Sequence, residues 1–326
     1  MMLHLAPLHG VTNRVFRASF FRHFGGFDSA VAPFILAVPT SKAKPNHFKD
    51  LLPGPAAEAR APGDVPRAAG GAEPRVPLVP QLLGNDPAAF VETAKVLAGL
   101  GYAEINWNLG CPYPMVADKM RGSGLLPFPE RIAEVLDSAC AVPGIEISVK
   151  LRLGRSDPED ILRLMPVLNG YPLKSVIIHP RVGTQMYREQ VDLGRFAAAA
   201  ALCRHKLVYN GDIASRASFE SLRARFPDIG EWMIGRGAIS NPFLPEEIRM
   251  GAVEGDRPLR LRAWHEDLYE SYRSVLFGPA HVLDKMKEVW TYLSASFPGS
   301  QRQLERVSRA TTLEAYEAAV ESVLGG

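Results

Sequence analysis

Residues Ile105–Gly124 read INWNLGCPYPMVADKMRGSG. The stretch opens as an apolar strand and breaks at Gly110. It then presents Cys111 beside the rigid Pro112 and closes in a Gly-rich turn, Gly122–Gly124, that reads as a hinge. A strand end carrying an Asn and a Cys, followed by a loop too long for a simple connection, has the build of an active-site edge. Its strand, Glu104–Asn108, is one of a series.

Outward from it, the chain repeats a short apolar strand, a turn and an amphipathic helix. Strands are expected at Leu3–Ala6, Ser29–Ala32, Leu78–Leu82, Glu104–Asn108, Glu146–Leu151, Ser175–His179, Leu207–Asn210 and Trp232–Ile234. Helix starts are marked by Thr12/Asn13, Asp86-Pro87, Pro129, Ser156-Asp157-Pro158, Asp192 and Ser215. Eight strands alternating with helices predict an α/β fold, most economically a closed (β/α)8 TIM barrel. A doubly wound open sheet is the alternative. Against it, no G-x-G-x-x-G follows the first strand. Polar and special residues also end many different strands: His9, Gln81, Asn108, Lys150, His179, Asn210 and Gly235. A barrel brings all of these to one mouth.

Two stretches break the rhythm. Pro53–Pro77 holds six Pro, four Gly and seven Ala with no aromatic residue, and reads as a flexible insertion in a catalytic domain spanning 1–245. From about Pro258 the strand signal ends. Trp264, Leu268, Tyr272 and Leu276 fall at helical spacing, as do Val282, Met286, Val289, Trp290 and Leu293. A small all-helical domain is expected over 257–326. Between Arg257 and Arg309 nine Lys/Arg face six Asp/Glu. That surplus fits either an ordinary solvated surface or contact with a phosphate backbone.

Composition narrows the classes. The 326 residues carry a net charge of +2, too mild to demand a nucleic-acid partner. Three widely spaced cysteines, Cys111, Cys140 and Cys203, form neither a disulfide framework nor a zinc cluster, which suits a reducing compartment. The first strand is expected almost at Met1, so no signal peptide is expected. The longest apolar run, Phe196–Cys203, is too short to span a bilayer. The expectation is a soluble cytoplasmic protein with no membrane, no metal and no evident obligate protein partner.

Five groups carry chemistry. The turns Tyr209-Asn210-Gly211-Asp212 and Ile234-Gly235-Arg236-Gly237-Ala238 follow the last two strands, where barrels commonly hold phosphate. Lys150 interrupts an apolar strand and suits either a solvated strand end or an anionic ligand. His179 and Arg181 share the predicted mouth, though a lone His at a strand end is often only structural. Gln81 both donates and accepts, which suits a pyrimidine-like edge. Cys111 lacks a flanking Asp/His pair, so proton donation suits it better than nucleophilic attack.

These motifs resemble those of the tRNA-dihydrouridine synthases. The resemblance rests on Ile105–Pro112 with Val116 and Gly122-Ser123, on Ala6–Asn13 with Phe16-Arg17, and on Gln81–Gly84, Val149–Arg152, His179 with Arg181, Asn210–Asp212 and Met233–Ala238. It implies a TIM barrel with a helical C-terminal domain and non-covalent FMN reduced by NADPH. It implies that Pro7, Leu8, His9, Gln81, Lys150 and His179 surround the flavin ring, and that Asn210, Gly211, Asp212, Gly235 and Arg236 hold its phosphate. Hydride would pass to C6 of a uracil flipped out of tRNA, and Cys111 would protonate C5. Asn108 and Arg181 would orient the uracil, and Lys119 would meet a tRNA phosphate. His9 stands where the family commonly has a small or acidic residue. The alternatives are a flavin barrel acting on a free pyrimidine or small enone, and a non-catalytic RNA-binding barrel.

Overall fold

The computed structural model describes residues 1–52, 76–253 and 255–325; nearly all of the expected Pro53–Pro77 insertion lies outside the described residues. The elements run β1 (Met2–Leu5), α1 (Arg14–His23), β2 (Ser29–Val31), β3 (Ile35–Leu36), β4 (Leu78–Val79), β5 (Gln81–Leu83), α2 (Pro87–Gly99), β6 (Glu104–Leu109), α3 (Pro114–Ala117), α4 (Pro129–Ala139), β7 (Glu146–Arg152), α5 (Asp160–Leu168), β8 (Val176–His179), α6 (Leu193–Leu202), β9 (Leu207–Tyr209), α7 (Arg216–Arg225), β10 (Glu231–Ile234), α8 (Arg236–Ser240) and α9 (Leu244–Met250). Helices α10 (Arg257–Val275), α11 (Pro279–Leu293), α12 (Gln301–Arg309) and α13 (Leu313–Leu324) follow. Side-chain caps start several of the helices. Asn13 accepts from the Phe16 amide, Asp86 from Ala89, Asp192 from Arg195 and Ser215 from Ser218. Ser156-Asp157-Pro158 does not open a helix directly. A turn intervenes, and α5 begins at Asp160.

All strand pairs are parallel, in the order β3-β5-β6-β7-β8-β9-β10-β1-β2-β4. The order has two free ends, but the sheet is closed. β2 and β3 flank Ala32-Pro33-Phe34, and β4 and β5 flank Pro80, so each pair is one barrel strand interrupted at a proline that has no N–H for the ladder. β2 pairs with β4 and β3 with β5, which joins the two ends. Among the described residues, ten segments therefore fill eight strand positions.

Alternation divides the buried residues into two cores. Leu3, Leu5, Ile105, Trp107, Leu109, Val149 and Leu151 face the helices in the main cluster. Inside the barrel, Ala6, Val31, Ile177, Val208 and Met233 form a small apolar cluster on the β8–β10, β1 and β2 side. The β5–β7 side is lined instead by Gln81, Asn106, Asn108, Ser148 and Lys150. That polar half is costly to bury, and it lies beneath the mouth.

The C-terminal helices pack onto the barrel through α1. Trp264 of α10 meets Phe16, Phe20 and Phe24 edge-on, with centroids 5.9, 6.1 and 5.4 Å apart. Arg260 donates to the His23 carbonyl and to Glu246, and Asn13 donates to the Tyr272 hydroxyl at 3.0 Å. Lys285 of α11 donates to the Gly10 carbonyl at 2.8 Å. Trp264→Ala should destabilise the folded chain by about 3–5 kcal/mol. Denaturant unfolding followed by circular dichroism checks this, and a loss under about 1 kcal/mol would show the contact to be incidental.

Candidate active site

Two adjoining cavities open at the C-terminal ends of the strands. The larger, about 420 Å³, is lined by Asn210, Gly211, Asp212, Gly235 and Arg236. The smaller, about 80 Å³, is lined by His9, Gln81, Asn108 and Cys111. Pro7, Leu8, Lys150, His179, Tyr187 and Tyr292 line both, so the two form one groove. The structure thus brings thirteen of the fifteen residues singled out in the sequence to one groove, all except Arg181 and Lys119.

Strand alternation aims Ser148, Lys150 and Arg152 of β7 inward. Burial pushes the Lys150 amine down to about 7, with the Arg152 charge adding to the shift. Among the described residues the ammonium has no hydrogen-bond acceptor. A cation with unmet donors facing a cavity fits an electron-rich ligand edge. Arg152 is buried, donates to the Val182 carbonyl at 2.8 Å and lies 5.2 Å from the Tyr187 ring centre. Arg236 lies 4.9 Å from the same ring.

His179 ends β8. Arg181 Nη1 approaches its Nε2 at 3.0 Å, and a guanidinium only donates, so Nε2 accepts and the ring proton sits on Nδ1. Burial, then the charges of Arg152, Lys150, Arg181 and Arg236, hold the ring neutral, with its pKa well below the usual range. Nδ1–H is left as a donor.

Arg181 differs from its sequence reading as a uracil-orienting group. It is 2% exposed and lines neither cavity. Its guanidinium is consumed by both carboxylate oxygens of Asp212, by His179 and by the Arg188 and Glu189 carbonyls. Asp212, read as a phosphate holder, spends its carboxylate on Arg181 and on Arg236, which donates at 3.0 Å. The pair braces Arg236 at the larger cavity. Lys119 is exposed outside the groove, and its carbonyl accepts from Asn85 at 3.2 Å.

Asn108 also has a fuller role than expected. Its Oδ1 accepts the Gly110 and Cys111 amides at 3.0 and 2.8 Å, and its Nδ2 donates to Gln81 at 2.8 Å. Cys111 is 7% exposed. Burial raises its pKa, against weaker opposing pulls from the Tyr113 amide and the Arg152 and Lys150 charges. The thiol therefore stays protonated at neutral pH.

The expected hinge at Gly122–Gly124 is instead a packed clamp. All three residues are buried, and the Ser123 amide donates to the Cys111 carbonyl at 3.0 Å. Gly122 has φ +55°, and a Cβ there would lie 2.7 Å from the Cys111 carbonyl oxygen and 2.9 Å from its Cβ. Only glycine allows that approach. Gly122→Ala should keep the fold and slow turnover about tenfold by displacing Cys111. Steady-state kinetics on the purified variant checks this; a wild-type kcat would show that the loop absorbs the methyl.

The sequence reading missed Arg152, Tyr187, Tyr292, Phe34 and Tyr113 as cavity residues. Arg152 was findable, two positions beyond Lys150 on one strand face. Tyr187 sits in an irregular loop and Tyr292 on a helix whose other face is bundle core, so neither carries a local signal. Phe34 stacks on His9 with ring centres 5.0 Å apart. Among the described residues no group of acidic, His and Cys side chains is placed to hold a metal, and no helix is long and apolar enough to cross a membrane.

A family model described as dihydrouridine synthase matches residues 4–312. A tRNA-dihydrouridine(16) synthase of Cupriavidus necator is 30% identical over 303 residues, covering 91% of this chain and 89% of that one. One from Vibrio cholerae is 26% identical, covering 89% and 94%. A tRNA-dihydrouridine(20/20a) synthase of Xanthomonas campestris is 31% identical, covering 65% and 64%. Among solved structures, morphinone reductase superposes with a TM-score of 0.52 at 14% identity, covering 79% of this chain and 88% of that one. At that identity the likeness concerns the fold alone.

Proposed function

Because the chain belongs to the dihydrouridine synthase family, we propose that it reduces uridine in tRNA to 5,6-dihydrouridine, with FMN as its flavin, NADPH as reductant and position 16 as its target. The relatives named for position 16 from Cupriavidus and Vibrio align over nearly the whole chain, whereas the one named for 20/20a aligns over about two thirds. The observation that carries the chemistry is one groove holding a protonated thiol, Cys111, and an amine, Lys150, with no protein acceptor among the described residues.

FMN held in this groove and reduced by NADPH would supply the hydride for C6 of the uracil. Lys150 would donate to the electron-rich edge of the ring, and His179 would offer its Nδ1–H. Gln81, Pro7, Leu8 and His9 line the ring end of the groove. Arg236, braced by Asp212, holds the phosphate with Asn210, Gly211 and Gly235. Cys111 Sγ–H gives its proton to C5, so the C5–C6 double bond gains two hydrogens and the thiolate recovers its proton from water. The base must leave its stack to reach this depth, at a cost of a few kcal/mol. The helices over 257–326 and the exposed Lys119 are assigned to the tRNA backbone.

The test is single turnover. Protein loaded with FMN and reduced by NADPH is mixed with tRNA transcript lacking modifications. Flavin reoxidation with dihydrouridine at position 16 is expected. No reoxidation refutes the function. Reoxidation by free uridine as fast as by tRNA would favour the small-pyrimidine alternative.

A further inference from the structure

The geometry points to Asn106, Ser148 and Glu104 as positioning residues that hold the Gln81 amide and the Cys111 backbone in one orientation, an inference that rests on the function proposed above. None of the three lines either cavity. They lie below it, on the polar inner side of the barrel.

One chain of hydrogen bonds climbs from the floor of the barrel to the mouth. At the floor, Lys174 Nζ lies 3.1 Å from the Glu104 carboxylate. Ser148 Oγ donates to Glu104 Oε1 at 2.8 Å. Asn106 Nδ2 donates to Ser148 Oγ at 3.0 Å, and Gln81 Nε2 to Asn106 Oδ1 at 2.7 Å. Gln81 Oε1 then accepts from Asn108, whose Oδ1 receives the Gly110 and Cys111 amides. Asn106 and Gln81 are fully buried, and Ser148 is 1% exposed. Strand register makes the contacts possible, since Gln81 is opposite Asn106 and Asn106 opposite Ser148.

The direction of the chain is locked from both ends. A carboxylate only accepts, so Ser148 donates downward and its oxygen takes the Asn106 N–H. Asn106 then presents its oxygen to Gln81, and Gln81 its oxygen to Asn108. At the top, backbone amides only donate, so Asn108 must turn its oxygen to Cys111. Both ends demand the same polarity. No amide in the series can flip without setting donor against donor in a buried site. The floor of the barrel thus decides which way Gln81 and Asn108 face at the mouth.

Two full-length variants with FMN bound test this. Ser148→Ala removes a link, and Glu104→Gln keeps the volume at a partly exposed position while removing the one-way acceptor. The first readout is hydrogen exchange at the Gly110 and Cys111 amides, resolved by NMR. It is expected to speed up about tenfold in Ser148→Ala and less in Glu104→Gln. The second is the rate of flavin reoxidation by tRNA, expected to fall about tenfold in Ser148→Ala with KM for tRNA unchanged. Wild-type exchange in Ser148→Ala overturns the proposal, as does a raised KM with an unchanged rate. Should Ser148→Ala not fold, Glu104→Gln decides alone, and unaltered exchange there overturns the proposal. Wild-type enzyme that tRNA fails to reoxidise refutes the proposed function instead, and the exchange measurement still decides this inference.

Discussion

Cys111→Ala is expected to bind FMN and oxidise NADPH like the wild type while forming dihydrouridine about 100-fold to 10,000-fold more slowly, the range that a positioned general acid supplies. The expectation follows from where the thiol sits. Cys111 is nearly buried at the mouth, its backbone is fixed from below by Asn108 and its carbonyl from the side by Ser123. Neither contact involves the sulfur, so removing Sγ keeps both and gives up only its contact with the Tyr113 amide. The pH profile gives a second check. Burial raises the pKa of the thiol, so it remains a proton source through and beyond the range where an ordinary cysteine ionises. Wild-type kcat should hold through neutrality and fall only above the usual thiol range. A variant forming dihydrouridine at the wild-type rate would show that another group delivers the proton.

Lys150→Met is expected to weaken FMN binding roughly 10-fold to 100-fold, the worth of one or two charge-assisted hydrogen bonds. It should also abolish a pH dependence that the wild type shows. Without ligand the amine has been pushed down to about 7 from an ordinary value of 10.5. Below pH 7 it is charged in both folded and unfolded chains, and the cost of burying that charge is fully present. Between pH 7 and the unfolded value only the unfolded chain keeps the proton, so the flavin-free protein gains stability as pH rises. A ligand that accepts from the ammonium reverses the preference and draws a proton in on binding. FMN affinity should therefore be flat below about pH 7 and fall up to about tenfold per unit above it. Titration by fluorescence quenching at several pH values checks this. A wild-type curve flat through pH 9 would place Lys150 away from the cofactor.

Much of this was legible because strands and helices announce themselves locally. Asn13, Asp86, Asp192 and Ser215 cap helices at the marked positions, and the alternation of Glu104, Asn106 and Asn108 with Ile105, Trp107 and Leu109 separates the inside of the barrel from the outside. What stayed hidden depends on partners far away in the chain. Arg181 looks like a substrate group until Asp212, 31 residues on, is seen to consume it. Pro80 splits the strand expected over Leu78–Leu82, and beyond Pro33 the segment Ile35–Leu36 resumes a strand expected to end at Ala32. Gly122 reads as a hinge because glycine signals freedom in a sequence. Only the nearness of Cys111 reveals that it is there for lack of space.

The attachment of α10 to α1 has a practical consequence for making chimaeras. α1 belongs to the barrel by chain order and to the C-terminal helices by contact, since its Phe16 and Phe20, with Phe24 at its C-cap, close around Trp264. α11 in turn lends Thr291 and Tyr292 to the wall of the groove. Recombining this chain with a relative at Arg257 would cut through an aromatic core and graft a foreign wall onto the groove. The C-terminal helices and the barrel are thus not separable modules here. A workable exchange carries α1 along with the last four helices and keeps Tyr292.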